Sequence, residues 1–595
     1  MNKMDIEKEK EKEKETINPL ETFTEDLHNE NRNVRLSALQ KTTKIAEILG
    51  SKKTLEELIP TLSESIDDSD EDEILSTFAE EIGKLVNFIE EKYVYVLVPL
   101  LKNFLTVEES IVREKSVDSI SRIAEKLTDK EIETHLFTLV NELQSGEWFS
   151  PRISALQLMP LVYPKVPLEK KDTLIVALSD LVENETTMVR RAAAKSLSEI
   201  VRIADSEIVQ EHLLPLVKII ANDDEDSVRL LSIDVCISLL KLFHSENEIS
   251  QFILPILESL VEDRSWRVRY SLAEQICELE HNIEPQIVVK IIVPIFVKLI
   301  SDNEGEVRTR TSYKIDEFCS YIHEFPDVIV NEIIPVCSEM INEKSTNTKA
   351  GFASSISSLS TILGQDLTMK YLLPLYLEML SEEKYQVRLA VISKLKEITN
   401  VIGVESLAKE IFPSIIKLSD DPQWRIRKTI IEFIPNLPSE NIGITLIDDK
   451  IADLYFNWLK DPVSIIRDVA AQNLFKLCGF LGSDWVEQKL LEKILSLISD
   501  SNYLIRETGL KTTSLLAPVF NKEILKQKII PNILLAQKDS VPNVRFSLAQ
   551  VLGEISAFLD TETLEQKIYP CFEELKKDKD EDVRFFAEKF SSKQN

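Results

Sequence analysis

Glycine is scarce, with 12 in 595 residues. No Gly/Ser-rich or Pro-rich linker interrupts the chain, which predicts nearly all-helical structure, and no Gly-rich phosphate loop is present. Positive charge is in deficit: the formal net charge is −31. Phosphate backbones need a basic face, so nucleic acid is excluded as an expected partner. The six cysteines are scattered and no pair has metal-ligand spacing. Such isolated thiols suit a reducing compartment, and a cytoplasmic chain with a nuclear pool is expected. The six histidines show no partner pattern. No apolar run approaches about 18 residues and no signal peptide is visible, so neither a membrane span nor secretion is expected. A nucleophile elbow, His-Glu-x-x-His and Cys-x-x-Cys are all lacking, and no insertion is long enough to build a pocket into a regular stack. The expectation is a binding platform rather than an enzyme, with no catalytic residue, no metal and no cofactor.

What is present is repetition. Residues Asp263 to Leu279 read as a turn followed by an amphipathic helix. Asp263 precedes the helix, where a short carboxylate can accept from free backbone N–H groups. Counting from Arg269, apolar residues fall at +3, +7 and +10 (Leu272, Ile276, Leu279), one stripe of a helix. Upstream, Phe252 to Leu257 belongs to a first helix containing Pro255, fourteen residues before Arg269.

Equivalents of Arg269 recur at Arg35, Leu75, Arg113, Arg152, Arg190, Arg229, Arg308, Lys349, Arg388, Arg427, Arg467, Arg506, Arg545 and Arg584. The fifteen markers stand 38 to 41 residues apart, most often 39, and nine of them follow Val. Eight have Asp six residues earlier: Asp223, Asp263, Asp302, Asp421, Asp461, Asp500, Asp539 and Asp578. Nine have Pro fourteen residues earlier, as in Pro215, Pro374 and Pro531. Three columns in one phase, with two helices per period, indicate an all-α fold, an α-solenoid of fifteen HEAT repeats. The stripe recurs in Val391, Leu395 and Ile398, in Ile430, Ile434 and Leu437, and in Leu548, Leu552 and Ile555. Each hairpin can bury it only against its neighbours. The repeated proline is expected to bend each first helix. The Asp and Arg columns are read as a ladder of charge-assisted hydrogen bonds, each rung contributing about 0.5–1 kcal/mol if exposed.

Residues 1–15 form a Glu/Lys tract expected to be disordered. Repeats 1–10 then occupy 16–400 and repeats 11–15 occupy 401–595. Repeat 2 is degenerate, with Ile74-Leu75 in place of Val-Arg. The acidic runs Asp67–Glu73 and Asp223–Asp226 are expected to be solvated turns. A charged turn at Lys576–Asp582 and a polar tail suit a capping repeat. The turn between paired helices, at −5 to −2, carries large aromatics: Trp148 at −4, and Trp266, Tyr385, Trp424 and Tyr503 at −3. Aromatics in short exposed turns are typical interface anchors; packing on the adjacent repeat's turn is the other reading. Arg267 and Arg425 follow their tryptophans, whereas Trp458 and Trp485 lie elsewhere in the period and are expected in the core.

The segments Gly146-Glu-Trp-Phe149, Met188-Val-Arg-Arg-Ala-Ala-Ala194, Asp226-Ser-Val-Arg-Leu-Leu231, Ser265-Trp-Arg-Val-Arg-Tyr270, Trp424-Arg-Ile-Arg427, Ser501-Asn-Tyr503 and Asn543-Val-Arg-Phe546 resemble the scaffolding A subunits of protein phosphatase 2A. The resemblance covers the chain after the Glu/Lys tract. It implies a horseshoe whose turns in repeats 11–15 hold the catalytic subunit, while the N-terminal repeats hold an exchangeable regulatory B subunit. It assigns Trp424, Arg425, Tyr503 and Val541 to the catalytic subunit. To the regulatory subunit it assigns Glu108, Trp148, Arg191, Trp266 and Arg267. Two departures stand out. Ser464 replaces the family's usual tyrosine, which puts that contact in doubt, and Thr187 replaces a usual proline, which predicts a differently shaped turn in repeat 5. The long charged N-terminus is also untypical.

An importin-β-like transport receptor is the alternative, since such receptors are also acidic HEAT solenoids. They are typically longer and carry an acidic insertion inside a repeat, and neither feature is present.

Overall fold

The computed structural model describes residues 19–66, 71–436 and 444–591. The 1–15 tract, Asp67–Asp70 of the first acidic run, Leu437 and the last four residues of the polar tail lie outside the described residues. The chain is 82% helical. Among the described residues there is no strand, and no helix is long and apolar enough to cross a membrane. Two compact units divide at Leu299/Ile300. That division is one of packing.

The register is strict. Second helices begin at Arg32, Asp72, Ser110, Phe149, Thr187, Asp226, Trp266, Gly305, Thr346, Tyr385, Trp424, Ser464, Tyr503, Pro542 and Glu581. Each marker is therefore the fourth residue of its helix, in all fifteen repeats. Within each unit successive second helices pack side by side. Phe149–Val162 lies on Thr187–Ile203 in the first unit, and Ser464–Leu481 lies on Tyr503–Leu516 in the second. First helices form the other layer, as Leu168–Val182 on Leu214–Ala221 and Leu214–Ala221 on Leu254–Val261. The apolar stripes are buried where described: Leu272, Ile276 and Leu279, and Leu548, Leu552 and Ile555, are sealed from water. Trp458 and Trp485 are core residues as expected, and the Trp458 indole N–H donates to the Ser419 carbonyl at 2.9 Å.

The prolines act differently from a simple bend. Ahead of Pro215, Pro255, Pro335, Pro374, Pro413, Pro531 and Pro570 the first helix widens into one five-residue π turn, and a fresh α segment then starts with proline in its first two positions. In repeat 7 the Leu254 N–H reaches back to the Ile249 carbonyl, and Pro255, which has no N–H, follows where none is needed. Two prolines differ: Pro294 lies inside the continuous helix Pro285–Ile300, and Pro99 follows a 3₁₀ helix, Glu91–Leu97.

The charge columns do form a ladder, and it is more buried than expected. Each rung joins the marker of one repeat to the carboxylate of the next. In the first unit Arg190 meets Asp223 at 2.6 Å and Arg229 meets Asp263 at 2.7 Å. In the second unit the pairs are Arg308–Glu343, Lys349–Glu382, Arg388–Asp421, Arg427–Asp461, Arg506–Asp539 and Arg545–Asp578, all between 2.6 and 2.7 Å. An arginine marker also clamps the turn ahead of its own helix. Arg229 Nη1, for example, donates to the carbonyl of Asp223, six residues back, at 2.8 Å. The estimate for exposed pairs does not apply, because the Arg229 and Asp263 side chains are 5% and 6% exposed. At Arg467 the rung slips: Asp500 pairs with Lys460 at 2.9 Å, and Arg467 Nε donates instead to Thr508 Oγ1 at 3.0 Å.

Candidate functional site

Each aspartate of the ladder first builds the turn that displays the candidate anchors. Asp263 Oδ1 accepts the Ser265 N–H at 2.7 Å, as Asp421 does for Gln423 at 2.8 Å and Asp539 for Val541 at 2.9 Å. The donating residue is then the extended N-cap, with φ −90° and ψ 122° at Ser265. The helix thus begins one residue later, and the anchors at −3 are not turn residues. Trp266, Tyr385, Trp424 and Tyr503 are each the first residue of a second helix, and Trp148 is an N-cap. A side chain there points past the helix end. Because rungs join the N-terminal ends of neighbouring second helices, these positions lie along one edge within each unit.

In the first unit Trp148 is 71% and Trp266 38% exposed. Arg267 lies over the Trp266 ring, 5.5 Å from its centroid, and Tyr270 meets the same ring edge-on at 6.2 Å. Arg267 Nη1 also reaches Asp226 Oδ2 at 3.5 Å, and Ser265 Oγ donates to that oxygen at 2.8 Å. The Ser265 hydrogen bond, followed by the Arg267 charge, holds the Asp226 carboxyl below its ordinary range despite the opposing effect of burial. Glu108 is exposed, two residues before the helix Ser110–Ala124, and its carbonyl accepts from Arg113 Nη1 at 2.5 Å. Arg191 is exposed and borders a cavity shared with Arg113 and Lys195.

In the second unit Trp424 is half-buried with Arg425 over its ring at 4.7 Å, repeating the Trp266–Arg267 arrangement. Tyr503 is 38% exposed. Val541 is half-buried and serves as the N-cap of Pro542–Ile555. Tyr385 is half-buried at its helix start.

Both departures have a structural outcome. Ser464 occupies the first helical position and is exposed, so the aromatic column is interrupted there. Thr187 also occupies a first helical position, and its N-cap Thr186 has φ −85° and ψ 117°, the geometry of the other turns. The expected change of turn shape does not occur, because a first helical residue needs no proline to adopt it.

The aromatic criterion overlooked apolar residues one position further on. Ile111, Met188 and Ile465, each at −2, are exposed large hydrophobics on the same helix ends. Their signal was the period itself, since Arg267 and Arg425 hold that position in other repeats. Ile465 supplies apolar surface beside Ser464.

Chemistry that would need a reactive thiol is not set up here. All six cysteines are buried and unpaired with one another, and burial pushes the Cys236 and Cys571 thiols up to about 12. Among the described residues no three His, Cys, Asp or Glu side chains cluster so as to hold a metal ion.

Comparison with known proteins follows the same line. The A-type regulatory subunit of protein phosphatase PP2A from Schizosaccharomyces pombe is 36% identical over 45% of this chain and 46% of its own length. Its Saccharomyces cerevisiae counterpart is 32% identical over 44% of this chain and 43% of its own. The beta isoform of the human 65 kDa regulatory A subunit is 35% identical over 60% of this chain and 59% of its own. The chain thus spans about half the length of the curated relatives it matches. Among solved structures, the Kap95:Nup1 complex aligns at a TM-score of 0.57 with 12% identity, covering 96% of this chain and 77% of that one. Kap121p bound to RanGTP aligns at 0.53 with 16% identity, covering 97% and 56%. At such identities the likeness is one of fold. The family model described as PIK3R4-like, middle domain, matches residues 2–143 and 173–430. With more than half of its residues matched, this chain belongs to the PIK3R4-like, middle domain family, and its relatives include regulatory A subunits of protein phosphatase 2A.

Proposed function

We propose that this chain is a non-catalytic scaffold of a protein phosphatase 2A holoenzyme. The catalytic subunit docks on the helix starts of repeats 11–15 through Trp424, Arg425, Tyr503 and Val541. An exchangeable regulatory B subunit docks toward the N-terminus through Glu108, Trp148, Arg191, Trp266 and Arg267. The observation that carries the reading is the recurring Trp-Arg pair at the start of a second helix. In both units a cation lies over an indole that the fold leaves in contact with water. Leaving such surface wet is unfavourable, and aromatic and arginine side chains are the typical anchors of protein interfaces.

The mechanism is positional. Two proteins bound to one frame meet at an effective concentration commonly in the millimolar range. The regulatory subunit then selects which phosphoserine or phosphothreonine substrate reaches the catalytic subunit. The buried ladder supports this by fixing each anchor relative to its neighbours within a unit. The karyopherin likeness is one of fold alone, whereas the relatives at 32–36% identity are named for the phosphatase. Affinity capture of the full chain tests the reading. A phosphatase catalytic subunit together with a regulatory subunit, in stoichiometric amounts, is expected. A Ran-type GTPase and basic import cargo in their place would contradict it.

A further inference from the structure

One buried marker has no rung. Arg113 Nη1 donates to the carbonyls of Val107 and Glu108 at 2.7 and 2.5 Å, as Arg229 Nη1 does to Asp223 and Asp224 at 2.8 and 2.9 Å. The other edge of the Arg229 guanidinium, Nε and Nη2, holds Asp263 bidentately. At Arg113 that edge meets no carboxylate among the described residues, and the residue in register with Asp263 is Gly146. Arg113 is 4% exposed and its Nε has no hydrogen-bond partner. The guanidinium remains charged, and burial pulls it below its ordinary pKa. Glu109 and Glu114 favour its charge without bonding Nε, so the fold leaves a buried donor unmatched, which is unfavourable.

Arg113 also lines a cavity of about 490 Å³ between the second helices of repeats 3, 4 and 5. Arg191 and Lys195 line it too, against the two carboxylates of Glu114 and Glu199. Ser196 Oγ, on the same wall, is a second buried polar atom without a partner. Apart from Ser110 and Gln157 the rest of the wall is apolar, including Ile153 and Met188. The volume is in the range of ligand pockets.

We propose that this cavity receives the carboxylate of an acidic side chain presented by a protein partner, seated against Arg113 and flanked by Arg191 and Lys195. A carboxylate is planar and matches the guanidinium fork, as the internal rungs of this chain do five times over with arginine and aspartate. The cavity is larger than a bare anion, and its apolar wall gives room for an aliphatic neighbour of the acid, which a peptide segment supplies. The partner rests on the scaffold reading: it is the regulatory subunit, since Arg191 belongs to that docking set.

The test uses the full chain and three probes: N-acetyl-glutamate amide, N-acetyl-glutamine amide and inorganic phosphate. The readout is the Arg113 Nε–Hε resonance, assigned by its disappearance in Arg113→Lys. A saturable shift with the glutamate probe and none with the glutamine probe is expected. A shift with phosphate alone would overturn the peptide occupant in favour of a free oxyanion, and no shift with any probe would overturn the site. In the complex, Arg113→Gln is expected to weaken regulatory-subunit capture at least about tenfold and to leave catalytic-subunit capture unchanged. Lys195→Glu, on the exposed rim, is expected to do the same without touching the buried arginine. Undiminished regulatory-subunit capture by both variants would overturn the docking role while leaving the scaffold reading intact.

Discussion

Arg229 and Asp263 lie 34 residues apart and meet through two parallel hydrogen bonds, Nε to Oδ2 at 2.7 Å and Nη2 to Oδ1 at 2.8 Å. The same aspartate shapes the turn that starts the next helix, and the same arginine clamps the turn that starts its own. One ion pair therefore sets both the spacing of two repeats and the placement of the residues displayed at their ends. Removing one partner leaves a buried charge uncompensated. Asp263→Ala is expected to lower stability by about 3–5 kcal/mol, read by urea unfolding. A loss below about 1 kcal/mol would mean that the rung behaves as an exposed pair.

The pH response follows from the last two rungs. The Arg545 hydrogen bond holds the Asp578 carboxyl below its ordinary 3.8. Burial would raise Asp539, but hydrogen bonds from Arg506 and the Val541 N–H outweigh it, and it too is lowered. Carboxylates depressed in the folded state contribute stability that is complete above the unfolded value and is lost as pH falls through the folded one. The melting temperature is expected to hold between pH 7 and 5 and to fall below about pH 4. Arg545→Gln is expected to lower it at neutral pH and to lessen the acid loss; an identical acid loss in the variant would contradict the assignment.

Gly509 marks a close approach within the second unit. A Cβ there would stand 2.9 Å from Leu497 Cβ and 3.0 Å from the Ile498 backbone nitrogen. Backbone cannot yield as a side-chain tip can, so Gly509→Ala is expected to cost about 1–3 kcal/mol by thermal or urea unfolding. No loss would show that the two helices of repeat 13 separate freely.

The thiols are expected to be inert in the folded chain. Cys236 lies in the core with its thiol pushed up to about 12, leaving almost no thiolate at neutral pH. Iodoacetamide is expected to label it only after urea unfolding. Rapid labelling under native conditions would place it in an open segment.

Much of this was legible in the sequence because the geometry demands particular residues at a fixed phase. The ladder needs Asp at −6 and Arg at the marker, and the stripe needs apolar residues at +3, +7 and +10, so fifteen repeats could be counted from letters alone. What was not legible depended on where the backbone puts slack. Pro255 announces a lost N–H, but not that a π turn ahead of it absorbs the loss. The helix starts one residue after the Asp-built turn, which moved Trp266 and Trp424 from a loop onto helix ends. At Asp500 two donors competed, and Lys460 took the carboxylate, leaving Arg467 to Thr508. Gly146 was visible as a position without an acid; the cavity lined by Arg113 was not, because three helices from three repeats define it.

The central claim is that two separate sets of helix-end anchors hold two different proteins. Quantitative capture of the phosphatase catalytic and regulatory subunits by Trp424→Ala and by Trp266→Ala measures it most directly. Trp424→Ala is predicted to weaken binding of the catalytic subunit by about 2 kcal/mol or more and to spare the regulatory one, with the reverse for Trp266→Ala. Equal capture of both subunits by both variants would contradict the account.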